Sequence, residues 1–192
     1  MEWTIPLQRL EVSKVNVGNV RYGDKPMAPL AYFDGPIHMP SMNILLPPLI
    51  VKEYEPHTGR LRLSLDNMNQ TSQKLSALQD TLLTLVFSKQ SSWFPGSRRT
   101  AEELRSLFQP FVESQCLHLY CPSNLTGTSG ISFWNGSWKR GVDPHTIQKG
   151  DILRVGFRIQ GISFQQNTVQ DLWTGRFRLQ HKILYIFHCS RS

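Results

Sequence analysis

Acidic side chains are scarce in the second half of this chain. From Ser114 onward there are nine lysines and arginines against three acids, Asp143, Asp151 and Asp171. So few carboxylates make a metal-dependent nuclease centre hard to assemble. Other catalytic signatures are missing too. The sequence has no phosphate-cradling glycine loop, no G-x-S-x-G elbow and no H-E-x-x-H pair. Cysteine is rare and odd in number (Cys116, Cys121, Cys189), which excludes a disulfide scaffold and fits a reducing compartment. No apolar run approaches the length of a membrane span, since Ile44 to Val51 is broken by Pro47 and Pro48. Met1 to Leu10 has no charged segment followed by an apolar one, so no secretory signal is expected. The sequons at Asn69, Asn124 and Asn135 are therefore read as chance. These absences point to an intracellular, non-catalytic protein with no membrane partner, no cofactor and no metal.

What is present is positive charge and alternation. The net charge is +7 over 192 residues, enough chain for one domain with a real core. A basic half interleaved with Trp, Phe and Tyr suits nucleic acid better than a membrane surface. The last fifth carries the clearest pattern. From Gly150 to Phe164, Leu153, Val155, Phe157 and Ile159 share one face, while Arg154, Arg158 and Gln160 share the other. From Gly175 to Phe187, Phe177, Leu179, Ile183, Tyr185 and Phe187 point one way, and Arg176, Arg178, Gln180 and Lys182 the other. Period two predicts half-buried strands, here an antiparallel hairpin with one apolar and one cationic face. Such a face can follow a polyanion, although edge strands also carry lysine and arginine to block aggregation.

The rest of the chain reads as strands, two helices, then strands. Val12 to Val17, Met27 to Phe33 (interrupted by Pro29), Ile37 to Leu46 and Arg60 to Leu65 are strand candidates. Leu75, Leu78, Leu82, Leu85 and Val86 then recur at helical spacing. Thr100-Ala-Glu-Glu103 is a capping box opening a second helix, with Leu104, Leu107, Phe108 and Phe111 as its buried stripe. Strands resume at Leu117, and Asn135-Gly136 predicts a turn flanked by aromatics. The expected class is α+β: one domain over 1–192, an antiparallel barrel or sandwich from strands in 10–66 and 115–188, with a helical insertion at 67–114. Trp93, Phe94, Phe108 and Phe111 are expected in the core. Trp134, Trp138 and Trp173, near Lys139, Arg140 and Arg176, are candidates for stacking on unpaired bases, or else plug the ends of a barrel. Cys116, His118 and Cys121, closed by His188 or Cys189, have metal-ligand chemistry but lack paired knuckles, and strand alternation, which makes Cys116 and His118 ordinary half-buried residues, is the preferred reading.

The ordered set of these features resembles the single-stranded-DNA-binding proteins of eukaryotic nucleocytoplasmic large DNA viruses and related elements. Those are similar in fold to a phage replication protein built on an oligonucleotide-binding (OB) barrel. The resemblance rests on Lys14-Val-Asn-Val-Gly18, Pro40-Ser-Met42, Leu61 to Asp66, Trp93-Phe94, Thr100 to Glu103 leading to Phe108-Gln-Pro-Phe111, Lys149 to Val155 with Gln160-Gly-Ile162, and Gly175 to Gln180. It spans about residues 12 to 187. Ser163 and Phe177 stand where the family usually has an aromatic and a tryptophan, and the terminus His188-Cys-Ser-Arg-Ser192 is not the acidic tail of the phage relatives. The resemblance implies an OB-like barrel and sequence-tolerant binding of single-stranded DNA, or RNA, in viral DNA replication, recombination or repair. It places the protein in the host nucleus or a cytoplasmic virus factory, with replication proteins or a second copy of the chain as further partners. Arg154, Arg158, Arg176, Arg178 and Lys182 would meet phosphates, Lys139 and Arg140 would flank them, and Trp134, Trp138 and Trp173 would stack. The alternative is a virion or structural interaction protein with a basic surface facing packaged nucleic acid.

Overall fold

A computed structural model describes residues 3–122, 132–135, 139–140, 146–167 and 172–191. The chain opens with short strands β1 (Ile5–Pro6), β2 (Val15–Val17), β3 (Met27–Asp34), β4 (Ile37–Met39), β5 (Met42–Leu45), β6 (Leu49–Glu55) and β7 (Arg60–Ser64). Helices α1 (Asn69–Trp93) and α2 (Ala101–Leu107) follow. Then come β8 (Phe108–Gln109), β9 (Val112–Glu113), β10 (Cys116–Tyr120), β11 (Ser132–Asn135), β12 (Lys139–Arg140), β13 (Asp151–Asn167) and β14 (Leu172–Arg191). The α+β class and the two helices between residues 66 and 115 agree with the sequence pattern.

All the strands join one sheet, whose main path runs β12-β11-β14-β13-β6-β7-β10-β9. That path does not close into a barrel by backbone pairing. Nor is the sheet purely antiparallel, because β1 pairs with β5, β8 with β14 and β11 with β14 in parallel. The β13–β14 hairpin is its spine. One edge of β13 pairs with β14, while the other is shared in succession by β6, β5 and β3.

Four register shifts interrupt the hairpin ladder. One lies between Gly156 and Phe157, opposite Tyr185 and Ile183, and the extra residue on β14 flips the alternation there. Ile183 and Ile186 are therefore buried, whereas Phe187 is exposed and Tyr185 half-buried. This corrects the expectation that Tyr185 and Phe187 share the inward face of Phe177, Leu179 and Ile183. Tyr185 instead lies over Gly156, where a Cβ would come within 2.2 Å of its ring. Its hydroxyl makes a 2.9 Å hydrogen bond with Thr4 Oγ1.

The C-terminal end of α1 packs against the tip of the hairpin, where Trp93 and Phe94 meet Phe164 and Trp173. Thr71, Leu75, Leu78, Leu82, Val86, Gln90 and Trp93 form the buried stripe of α1. The fully buried Gln90 donates to the Arg99 carbonyl and accepts from its amide, each at 2.8 Å, fixing the chain between the helices. The Thr100–Glu103 capping box is formed on both sides. Trp93, Phe94, Phe108 and Phe111 are buried as expected, and Phe94 meets Phe164 and Trp173 at ring separations of 5.0 and 4.6 Å.

Gly161 marks the closest approach of β3 to the spine, since a Cβ there would lie 2.3 Å from the Ala28 carbonyl oxygen. A backbone oxygen fixed in a ladder cannot move aside as a tyrosine ring can. Gly161→Ala is expected to destabilise the fold by about 1–3 kcal/mol and by more than Gly156→Ala does, as read from urea midpoints.

Candidate nucleic-acid interface

A groove of about 770 Å³ runs between the outer faces of β7 and β10 on one side and β14 on the other. Register explains its chemistry. In the β7–β10 ladder Arg60 stands opposite Tyr120, and Arg62 opposite His118. Leu61, Leu63, Leu117 and Leu119 point inward and are buried, so the alternation that builds the core sends the cations and Tyr120 outward. Tyr120 is 55% exposed, an aromatic face open to solvent beside Arg60. Across the groove stand Arg178 and Lys182 of β14, with Gln160 and Gln180 as neutral polar lining. A second depression of about 730 Å³ continues from Gln109 and Arg178 along β8 toward Arg176 and Lys25. The two share Gln109 and Arg178, so the cationic track is continuous along β14.

The two walls differ in charge compensation. On the β7 side Arg62 donates to Glu53 at 2.9 Å and Arg60 lies 3.7 Å from Glu55. On the β14 side Arg176, Arg178 and Lys182 are exposed and, among the described residues, form no ion pair. Among the described residues, Glu113 is the acid lining the larger depression and Asp24 the acid lining the smaller. The result is a predominantly positive channel with its least compensated charges on β14.

Where the backbone ladder stops, a side chain spans the gap. The Tyr120 amide donates to His181 Nε2 at 2.9 Å, linking β10 to β14. Burial pushes the His181 imidazole down from the ordinary 6.5 to about 4, and the nearby Arg178 adds to the effect. The ring is therefore neutral at physiological pH, and Nε2 is the acceptor nitrogen. Burial first, and Arg62 second, also lower the pKa of His118.

The residues expected to bind separate into groups. Arg176, Arg178 and Lys182 line the track. Arg154 does not: its Nε donates to the Leu46 carbonyl at 3.1 Å, tying β13 to the chain after β5. Arg158 donates through Nε to Asn43 Oδ1 at 3.0 Å and lines a separate hollow beside β4. Trp173 is not a loop residue offering its face. It lies in β14 and is 3% exposed, stacked on Phe94, with Nε1 donating to the Arg176 carbonyl at 3.0 Å and the Arg99 guanidinium 4.8 Å from its ring. Its burial fills the hairpin end of the core, which corrects the stacking role. Trp134 falls on β11, in register with Phe187 of β14 and with Arg140 of β12, where Lys139 pairs with Asn135. That position is beyond the groove, toward the far end of β14. Trp138 lies outside the described residues. Arg60, Arg62 and Tyr120 were missed as site residues, although the alternation around them already set them on polar faces.

Among the described residues, no three His, Cys, Asp or Glu side chains gather to hold a metal ion. Cys116 and Cys121 are buried free thiols, and burial pushes Cys121 up to about 11. Among the described residues, no helix is long and apolar enough to cross a membrane. No family model matches the chain, and neither the curated proteins nor the solved structures searched include a significant match.

The depressed pKa of His181 has a consequence for stability. Between about 6.5 and 4 the unfolded chain binds a proton at this histidine that the folded chain does not, so stability falls as pH falls through that window. Urea midpoints measured from pH 7 to pH 4 are expected to decline, and the decline to be shallower in His181→Gln.

Proposed function

We propose that this protein is a non-catalytic, sequence-tolerant single-stranded-DNA-binding protein acting in viral or virus-like DNA replication, recombination or repair. The observation that carries this reading is the track on the outer face of β14. Arg176, Arg178 and Lys182 line one wall, and the exposed Tyr120 with Arg60 and Arg62 forms the other. Cations in a row neutralise successive phosphates and release counterions, which needs no base sequence. An exposed aromatic beside them offers a surface for an unpaired base, which a duplex hides.

The OB-like part of the proposal concerns how the sheet curls. The path β14-β13-β6-β7-β10, with His181 reaching back from β14 to β10, is the arrangement a small barrel needs apart from the last backbone ladder. OB barrels bind strands across such an outer face. The viral setting, and with it a site of action in the nucleus or a cytoplasmic virus factory, rests on the resemblance in the sequence.

The test is a titration of oligo-dT at two salt concentrations, with a matched duplex as competitor. The wild type should prefer the single strand. The triple change Arg176→Ala, Arg178→Ala, Lys182→Ala should weaken binding and lower the salt slope by roughly 2, at about 0.7 per lost phosphate contact. Arg154→Ala should leave the slope unchanged, because that side chain ties backbone rather than lining the track. Equal affinity for duplex and single strand would overturn the reading in favour of a virion interaction protein with a basic surface. Preference for oligo-U over oligo-dT would redirect it to RNA.

A further inference from the structure

The cationic track carries neutral groups that phosphate binding does not use. Between Arg178 and Lys182 on the outer face of β14 stands Gln180, and β13 offers Gln160 to the same depression. Register sets the two side by side. Ile159 pairs with His181 and Gly161 with Gln180, so Gln160 is the extra residue of a bulge, inserted beside Gln180. A bulge re-aims the side chain it carries. Gly161, opposite Gln180, has no side chain to engage the amide. Both glutamines are half-buried, and among the described residues neither side-chain amide makes a hydrogen bond. Glutamines inside the fold behave differently. Gln79 Oε1 accepts from the amides of Phe111 and Val112, and Gln90 is bonded to Arg99 through both its oxygen and its nitrogen.

Tyr120 is placed to present a base to them. Its amide donates to His181 Nε2 at 2.9 Å, which sets the Tyr120 backbone against the residue that follows Gln180. Its exposed ring lines the same depression as the two glutamines. A base stacked on that ring has one face covered and its edge directed sideways, where hydrogen bonds form. A side-chain amide has a carbonyl acceptor and an NH2 donor, and half a turn about its last torsion exchanges them. Every base carries at least one donor and one acceptor on its pairing edge, so a turning amide matches all four. Such contacts keep sequence tolerance, and in a half-buried site they are stronger than in open water. A duplex offers no free pairing edge.

We infer that Gln160 and Gln180 form a base-edge subsite of the track: they hydrogen-bond the pairing edge of an unpaired base stacked on Tyr120, while Arg178 and Lys182 hold the flanking phosphates. This rests on the single-strand reading and deepens it. What the site recognises is the unpaired edge of a base and not only its exposed face.

The experiment is an affinity titration of the full chain with single-stranded oligomers of about eight nucleotides. They are oligo-dT, a mixed sequence, and an oligo-dT whose thymines carry N3-methyl groups. The methyl groups leave stacking faces and phosphates intact but block the pairing edge. The wild type should bind the first two with similar affinity and the methylated oligomer more weakly, by roughly 2- to 12-fold for each hydrogen bond lost. The double change Gln160→Met, Gln180→Met should bind plain oligo-dT as weakly as the methylated one. It should keep the wild-type salt slope, because no phosphate contact is removed. Its urea midpoint reports any loss of fold, and the methylated oligomer tests the wild type without any substitution. Equal wild-type affinity for the plain and methylated oligomers would overturn the subsite and leave the single-strand function standing. So would a salt slope that falls in the double variant, since the amides would then act on phosphates. Absence of binding to oligo-dT by the wild type would overturn both readings.

Discussion

The β13–β14 ladder is the template on which β3, β5, β6, β8 and β11 are paired, and through them the rest of the described sheet. Its strands run for 17 and 20 residues, far longer than any other in the sheet. One flank of β13 serves β6, β5 and β3 in turn, and β14 serves β11 and β8. The short strands have few backbone pairs of their own and depend on this template for position. The inward residues Leu153, Val155, Phe157, Ile159, Phe177, Leu179 and Ile183 contribute a large share of the buried core. Burying side chains of this kind is worth about 1.5–3 kcal/mol each. The same alternation that drives this burial must place the remaining residues outside. The cationic track and the core are thus two faces of one constraint.

Much of this was legible in the sequence because it depends on period and on local chemistry. The hairpin follows from alternation, α1 from leucines at helical spacing, and the start of α2 from a threonine three residues before a glutamate. The core placement of Trp93, Phe94, Phe108 and Phe111 followed from their position beside the helices. What failed depends on long-range pairing. β6 was not anticipated, because Pro47 and Pro48 obscure the apolar residues that follow them. The flip at Tyr185 comes from a bulge, and one extra residue in a ladder leaves no mark in a pattern of period two. Trp173 looked like a loop residue because the last strand was expected to begin at Gly175, whereas β14 begins at Leu172.

The site was half legible for the same reason. Arg176, Arg178 and Lys182 were placed correctly on an outward face by alternation alone. Arg154 and Arg158 shared that face in sequence, but β5 and the chain after it lie alongside β13 and take up their Nε groups at Leu46 and Asn43. Arg60 and Arg62 were visible in Arg60-Leu-Arg-Leu63, and Tyr120 in the alternation of β10. Only the β7–β10 register shows that they face one another. A single sequence carries which face a residue takes far more clearly than which strand lies beside it.

The link between Tyr120 and His181 has a mechanical consequence. A strand ladder resists separation through many bonds that must break together, whereas a net hydrogen bond of about 0.5–1.5 kcal/mol yields to thermal motion. Along its spine the sheet is held by a continuous ladder, whereas among the described residues β10 and β14 are joined by this side-chain bond and by packing rather than by backbone pairs, a more compliant kind of seam. The larger depression lies at that junction, with its two walls carried on opposite sides of the compliant line. For the strand binding proposed above, small changes in the spacing of these walls would admit bases of different bulk without unzipping a single backbone pair.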